Sequence, residues 1–152
     1  MNNLKFRNVI ATPEDPVERW GAEGIHTAIE RGSLRYWRRI VAAIEDDPWG
    51  KVSREVEEAL ASSRPYGASE LIARAVDHVR SRAQEADRET VSAEVKELIE
   101  CSGLPRREFA SRIGTSASRL STYESGKVVP SAALMVRMRR VVEKSQLSDL
   151  SG

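Results

Sequence analysis

The sequence predicts an all-α protein, and three observations support this fold class. Apolar residues recur at intervals of three and four along most of the chain, which is the spacing of one helix face. Aromatic residues make up only 5% of the sequence, a fraction that disfavours a β-sandwich or β-barrel. No glycine or proline occurs from residue 69 to residue 102, which predicts one long helix. We expect a small N-terminal helical domain, a long connecting helix and a C-terminal helical domain.

Residues 1–62 are expected to form the N-terminal domain, with an irregular start followed by three short helices. The first helix is predicted to end at Gly32, and Ser33 can cap the second. Asp47 followed by Pro48 predicts the start of the third, since a capping residue and a proline in the first turn favour a helix N-terminus. The apolar faces of the second and third helices include Trp37 and Trp49, which we expect to anchor the core rather than form an aromatic cage.

Residues 63–90 are assigned to a linker and a long helix. The stretch 61–67 contains two serines, a proline and a glycine, and it is the best candidate for a domain boundary. From Ser69 onward the helix carries an a/d stripe, made of Ile72, Val76, Val79, Ala83, Ala86 and Thr90. Because its later members are small or polar, we favour packing of this helix on its own domain, with dimerisation as the alternative.

Residues 91–145 predict a helix-turn-helix domain, followed by a short tail at 146–152. One apolar helix face ends at Gly103, after which Pro105 opens a helix over 106–113. Gly114 supplies the turn, because a residue without a Cβ adopts the left-handed backbone conformation at little cost. Ser116 can cap a further helix over 117–124, and Ser131 can start the last one. Two short helices joined by a tight turn with glycine form a helix-turn-helix.

The charge distribution indicates where a polyanion would bind. The whole chain has a net charge of only +1, but residues 105–140 hold eight basic residues against two acidic ones. The basic residues are Arg106, Arg107, Arg112, Arg119, Lys127, Arg137, Arg139 and Arg140. A local excess of this kind attracts nucleic acid even on a nearly neutral protein.

The sequence gives little support for an enzyme, a metal protein or a membrane protein. We predict no catalytic residue, no metal and no cofactor, because His26, His78 and Cys101 fall short of a zinc set. Cys101 forbids an intrachain disulfide, and we expect it to be a small packed residue. No apolar run is long enough to span a bilayer, and the first residues lack the apolar stretch of a secretory signal. A cytoplasmic location is expected.

The C-terminal segment resembles the Xre/phage-repressor helix-turn-helix family of the lambda-repressor–Cro type. The resemblance covers roughly residues 91–145, over a third of the chain. It rests on four motifs in register: the G-L-x-x-x-x-F-A frame from Gly103, the I-G turn at Ile113, the Y-E-x-G-K exit from Tyr123 and the P-S restart at Pro130. The resemblance implies a DNA-binding domain whose helix 117–124 enters the major groove.

The predicted site residues follow from the exposed face of that helix and from the resemblance. Short side chains allow a close approach to base edges, and we assign base contacts to Ala117, Ser118, Ser121 and Thr122. Phosphate contacts are assigned to Arg106, Arg107, Ser116, Arg119 and Lys127.

The sequence departs from the family at three places. The family commonly has an arginine that pairs with the glutamate equivalent to Glu124, but here that position holds Ile99. We therefore expect Glu124 to pair with Arg139 or Arg140. The glutamine and asparagine of family recognition helices are replaced by Ala117 and Ser118. The family's fifth helix is reduced to a short tail at 147–150.

Two functions are compatible with this sequence. The favoured one is a transcriptional regulator, expected to be a repressor, that binds double-stranded DNA as a homodimer. The alternative is an antitoxin or adaptor whose residues 1–60 bind a partner protein while the helix-turn-helix autoregulates its operon.

Overall fold

The computed structural model describes residues 4–6, 10–62 and 67–152. All regular secondary structure in this part of the chain is helical, which confirms the predicted fold class. A 3₁₀ turn, Val17–Arg19, precedes seven helices: α1 Gly21–Arg31, α2 Leu34–Asp46, α3 Lys51–Ser62, α4 Ala68–Ser102, α5 Arg106–Ile113, α6 Ala117–Glu124 and α7 Ala132–Leu150. The predicted linker falls largely on residues 63–66, which lie outside the described residues.

The chain divides into two compact units, residues 1–83 and 84–152, and the boundary falls within α4. Each unit has its own hydrophobic core. The core of the first unit is built from α1, α2, α3 and the start of α4. It contains Leu4, Val17, Trp20, Ile25, Ala28, Ile29, Tyr36, Ile40, Ile44, Val52, Val56, Ala59, Ile72 and Val76. The early part of the α4 stripe therefore packs on its own unit, whereas Ala86 and Thr90 are exposed.

The aromatic anchor of the first unit is Trp20, which is almost fully buried at 1% exposure. Its indole Nε1 donates a hydrogen bond to the Asp15 carbonyl at 3.0 Å, and the Arg39 guanidinium lies 4.8 Å from its ring centroid. Arg39 also donates to the carbonyls of Pro13 at 2.5 Å and Asp15 at 2.7 Å. These bonds satisfy backbone oxygens of the irregular N-terminal segment and hold it against α2.

Two predictions for the first unit were wrong. The helix after Asp47 and Pro48 begins only at Lys51, because residues 47–50 form a turn closed by a bond from Gly50 N to Asp47 O at 3.1 Å. Trp49 lies in that turn and is 45% exposed, so it is not a core anchor. Trp37 is half-buried against the core, and its Nε1 donates to the Ala28 carbonyl at 2.9 Å.

An arginine in α4 ties this turn to the neighbouring helix. Arg80 donates from Nε to the Pro48 carbonyl at 3.0 Å and from Nη2 to Ser53 Oγ at 2.7 Å, and it pairs with Glu57 through Nη1. Ser53 is fully buried, so the guanidinium satisfies a hydroxyl that would otherwise be desolvated without a partner.

The core of the second unit joins the end of α4 to α5, α6 and α7. Its buried members are Val95, Ile99, Phe109, Ala110, Ile113, Leu120, Tyr123, Met135, Met138 and Val141. Helix α7 continues to Leu150, so most of the expected tail extends this helix. Cys101 is exposed near the end of α4, contrary to the expectation that it is packed.

Candidate nucleic-acid interface

The turn between α5 and α6 is fixed by Gly114. Its φ of +80° and ψ of 34° lie in the left-handed region, as the sequence predicts. The amide of Gly114 donates to the Ser111 carbonyl at 3.1 Å, and the amide of Thr115 donates to the Ala110 carbonyl at 2.9 Å. These bonds close the C-terminus of α5, so α6 leaves the turn in one defined direction.

Helix α6 is held on the core by one face and is open on the other. Leu120 is fully buried and Tyr123 is 6% exposed, and both belong to the core of the second unit. Ala110 in α5 is also fully buried, as expected for a small residue where two helices approach closely. Ala117, Ser118, Arg119 and Ser121 are exposed, and Thr122 is half-buried. The structure therefore brings the four residues assigned to base contacts to one helix, and three of them are freely accessible.

The hydroxyl groups of α6 differ in how much hydrogen-bonding capacity they retain. Ser116 caps the helix, since its Oγ accepts from the Arg119 amide at 3.2 Å and lies 3.4 Å from Ser118 Oγ. Thr122 Oγ1 donates to the Arg119 carbonyl at 2.6 Å, so its proton is used within the helix. Ser121 makes no hydrogen bond through its hydroxyl within the described residues. Ser118 and Ser121 are thus the hydroxyls best placed to bond to another molecule.

An open depression of about 690 Å³ lies at the N-terminus of α6. Its lining includes the exposed side chains of Arg107 and Arg119 together with Ser116 and Ser118. The unpaired amides of a helix N-terminus carry partial positive charge and favour anions. Two arginines beside such a terminus give this depression the chemistry of a phosphate-binding surface.

Glu124 pairs with Arg106, not with Arg139 or Arg140. The Arg106 Nε lies 2.9 Å from Oε1 and 3.2 Å from Oε2 of Glu124, whose side chain is only 14% exposed. This pair joins the first residue of α5 to the last residue of α6. Arg139 instead donates to Glu94 in α4 at 2.7 Å and 3.0 Å. The sequence expectation was wrong because helical spacing within α7 does not reveal which residue of another helix lies opposite.

The end of α6 is also tied to α4 by Ser92, a residue that the sequence analysis missed. Its side-chain hydroxyl donates to the Glu124 carbonyl at 2.5 Å, and Ser92 is 8% exposed. Gly126 follows with a φ of +76°, and a Cβ there would lie 3.6 Å from Ser92 Cβ. In the sequence, Ser92 is a polar residue on the apolar helix face that begins at Val91. This position was the available indication that its hydroxyl is buried against another element. The contact fixes the chain that leads to the exposed Lys127.

The other basic residues near α6 divide into two groups. Arg112 pairs with Glu108 at 2.9 Å, and Arg137 donates to the Ile113 carbonyl at 3.3 Å beside the turn. Arg107, Arg119 and Lys127 are exposed and make no side-chain hydrogen bond or ion pair within the part of the chain that the structure describes. These three cations surround α6 with charge that is available to a ligand.

Comparison with known families agrees with this geometry. A family model described as a helix-turn-helix domain matches residues 72–146, just under half of the chain. The match ends four residues before the C-terminus of α7 and includes all of α5 and α6. No curated protein and no solved structure matches the chain. The C-terminal part of the molecule therefore carries a helix-turn-helix domain, a class of domain that binds DNA.

Neither a metal site nor a membrane span is found in the described part of the chain. Among the described residues, no group of three or more histidine, cysteine or acidic side chains is arranged to hold a metal ion. None of the helices in residues 4–6, 10–62 and 67–152 is both long and apolar enough to cross a membrane.

Proposed function

We propose that this protein is a sequence-specific transcriptional regulator, acting most simply as a repressor, that inserts α6 into the major groove of DNA. The observation that carries the proposal is the open face of α6. Ala117, Ser118 and Ser121 are short and exposed there, while Arg107, Arg119 and Lys127 lie around the helix. An α-helix fits the major groove of B-DNA, and short side chains let its backbone come close to base edges.

Base readout is assigned to Ala117, Ser118, Ser121 and Thr122. A serine hydroxyl both donates and accepts, so Ser118 and Ser121 can each bond to a base edge. The proton of the Thr122 hydroxyl is held by the Arg119 carbonyl, so this residue is left with acceptor capacity and a methyl group for contact with thymine. No long amide side chain occurs among these positions, and the expected operator preference is therefore moderate.

Phosphate contacts are assigned to Arg106, Arg107, Ser116, Arg119 and Lys127. The lining of the depression by Arg107, Ser116 and Arg119 supports three of them. Arg106 uses its Nε on Glu124, but its side chain is 68% exposed and its terminal nitrogens make no hydrogen bond within the described residues. Such contacts fix the position of the protein on DNA without reading its sequence.

The proposal includes a homodimer and retains the assignment to the Xre/phage-repressor type. One recognition helix reads only about four or five base pairs, too few to select a site in a genome. Two copies related by a two-fold axis would read two half-sites of a palindrome. The left-handed turn at Gly114 and the caps at Ser116 and Ser131 lie within the segment that carries the resemblance, and they support this assignment.

A second candidate function is an antitoxin or adaptor that binds a partner protein through its first unit. The observation in its favour is an apolar groove of about 440 Å³ between α2 and α4, lined by Leu34, Trp37, Val41 and Leu71 among others. Leu34 is 54% exposed and Leu71 is 61% exposed. Co-expression with the adjacent gene would separate the two functions: an antitoxin suppresses the toxicity of that gene product, and a simple repressor does not.

Salt dependence of DNA binding tests the proposed function. If several cations meet the DNA backbone, log K for a duplex falls linearly with log salt, with a slope of about −0.9 per phosphate neutralised. We expect Lys127→Ala to weaken binding to specific and random duplexes equally and to flatten the slope by about one unit per bound protomer. The matched control is Lys96→Ala, which removes an exposed lysine of α4 and should leave the slope unchanged. Affinity that does not change with salt, or equal slopes for Lys127→Ala and wild type, would refute the proposal.

A further inference from the structure

Helix α7 has apolar residues on two opposite faces. One face packs into the core of the second unit through Met135, Met138 and Val141. The other face bears large apolar side chains in solvent: Val136 is 46% exposed, Leu147 is 65% exposed and Leu150 is 84% exposed. Apolar side chains that recur on an outward helix face mark a surface for another protein more often than isolated exposed residues do.

The outward face follows a heptad pattern. Ala133, Val136, Arg140, Glu143, Leu147 and Leu150 are separated alternately by three and four residues, and all six are exposed. Helix α7 is continuous over this stretch, so the six residues form one stripe, which we name the outer stripe. Spacing of this kind is that of the a and d positions of a coiled coil. The stripe is roughly 26 Å long at 1.5 Å per residue.

The order of residues in the outer stripe is complementary to itself in the antiparallel direction. A two-fold axis midway between positions 140 and 143 places Arg140 of one copy against Glu143 of the other. The same axis places Val136 against Leu147 and Ala133 against Leu150. A parallel pair would instead oppose Arg140 to Arg140 and Glu143 to Glu143, and like charges opposite each other repel.

The two charged residues of the stripe are available for such a contact. Arg140 and Glu143 are both exposed, and neither is in an ion pair within the residues that the structure describes. Arg139, one position away, is engaged by Glu94. Charge complementarity therefore selects a second copy of this chain, in antiparallel orientation, as the occupant of the surface.

We propose that two copies of the protein associate through the outer stripe of α7, packed antiparallel about a two-fold axis. The contact is isologous and closed, so it produces a dimer and not a filament. Two helices of this length bury less surface than a standard protein interface, so we expect a weak dimer whose population depends on protein concentration. The inference rests on the proposed function, because a palindromic DNA site requires a protein with two-fold symmetry. The antiparallel dimer supplies that symmetry.

Sedimentation velocity of the full chain over two decades of concentration tests the association. Wild type should shift from monomer to dimer as concentration rises. Leu147→Asp would place a carboxylate against Val136 of the other copy and should weaken the dimer at least tenfold. Ser148→Asp is the matched control: it adds the same charge to an exposed position next to the stripe and should leave association unchanged. Circular dichroism of both variants confirms that the helices are intact. A wild-type monomer at every concentration, or a Leu147→Asp dimer as strong as wild type, would overturn the proposal.

Charge exchange and cross-linking test the orientation. Arg140→Glu and Glu143→Arg should each weaken the dimer, and the double variant should restore it, since the pair is re-formed with its charges reversed. In a Cys101→Ser background, a chain with Val136→Cys should form a disulfide with a chain carrying Leu147→Cys. Neither cysteine variant should cross-link efficiently to itself. Lack of rescue in the double variant, or stronger self-linking than mixed linking, would contradict the antiparallel arrangement.

The failure of this inference can be told apart from the failure of the proposed function. The Leu147→Asp monomer keeps α5 and α6 unchanged, so it should still bind random duplex DNA, with about half the salt slope of the wild-type dimer because it presents one set of phosphate contacts instead of two. Loss of association with DNA binding retained would refute only the α7 contact. An intact dimer that binds no DNA would refute only the proposed function.

Discussion

Gly114 is the residue on which the direction of α6 depends most closely. Its φ is +80°, and the nearest heavy atom to a Cβ built there is Arg137 Nη1 at 3.5 Å. The position has room for a side chain, so only the backbone conformation demands glycine. The effect of a substitution at Gly114 therefore isolates backbone strain from steric overlap.

We expect Gly114→Ala to lower the free energy of unfolding of the second unit by about 1–2 kcal/mol, the usual cost of a left-handed non-glycine residue. Gly114→Asn should cost less, because asparagine adopts this conformation more readily. Urea denaturation followed by circular dichroism measures both. Equal stability of Gly114→Ala and wild type would show that φ at this residue is not positive in solution.

Single residues also show where sequence reasoning reached its limit. The turn conformation of Gly114 and the capping roles of Ser116 and Ser131 could be predicted, because each depends on neighbours within a few positions. The Arg106–Glu124 pair could not, since its partners are separated by 18 residues and meet only when α6 folds back on α5. Threonine often donates its hydroxyl proton to a carbonyl of its own helix, so a bond of this type could be predicted for Thr122. Only the side-chain rotamer shows that the proton is in fact donated to the Arg119 carbonyl.

At the scale of whole elements, α6 and α7 begin in the same way. Ser116 Oγ accepts from the Arg119 amide, Ser131 Oγ accepts from the Leu134 amide, and both distances are 3.2 Å. Each cap satisfies one of the amides that a helix N-terminus leaves without an internal partner. The two serines differ in one respect: Ser116 lines the depression that we propose binds DNA phosphate, and Ser131 does not.

This difference allows a matched pair of variants. Ser116→Ala and Ser131→Ala should each lower the stability of the second unit by about 1 kcal/mol, the usual value of an N-cap serine. Only Ser116→Ala should also weaken binding to duplex DNA, because only this hydroxyl faces the proposed phosphate site. Thermal unfolding and fluorescence anisotropy with a labelled duplex measure the two effects. An equal loss of DNA affinity in both variants would show that capping, not phosphate contact, accounts for the change.

Element boundaries could be predicted from the sequence wherever local signals acted alone. The bounds of α5 and α6 agree with the expectation, because Pro105, Gly114, Ser116 and Gly126 delimit them. The start of α3 was misplaced, because Asp47 and Pro48 belong to a turn that Arg80 holds from α4. That contact crosses 32 residues and leaves no trace in the local pattern. Trp49 lies in this turn and is exposed, although its spacing suits an apolar face.

At the scale of the whole molecule, the two units have separate cores and different optical probes. All three tryptophans belong to the first unit, whereas helices in both units contribute to circular dichroism. A substitution in the core of the second unit should therefore shift circular dichroism alone, whereas one in the core of the first unit should shift tryptophan fluorescence and only part of the circular dichroism signal.

Phe109→Ala should destabilise the second unit by about 3–5 kcal/mol, since Phe109 is fully buried. The circular dichroism transition should move to lower denaturant and tryptophan fluorescence should keep its wild-type midpoint. Ile40→Ala, in the core of the first unit, is the reciprocal control and should shift the fluorescence transition by an amount equivalent to about 2–5 kcal/mol. Coincident shifts of both probes in both variants would mean that the units unfold as one.

The central claim is that the exposed face of α6 reads DNA sequence, and a specificity ratio tests it most directly. A duplex selected by the wild-type protein from a random pool would be compared with a scrambled duplex in competition binding. Ser118→Ala combined with Ser121→Ala should lower the ratio of specific to random affinity at least tenfold, because each base contact contributes about 1–3 kcal/mol. Affinity for the scrambled duplex and thermal stability should stay at wild-type values. A double variant that keeps the wild-type ratio would show that α6 is not the recognition helix.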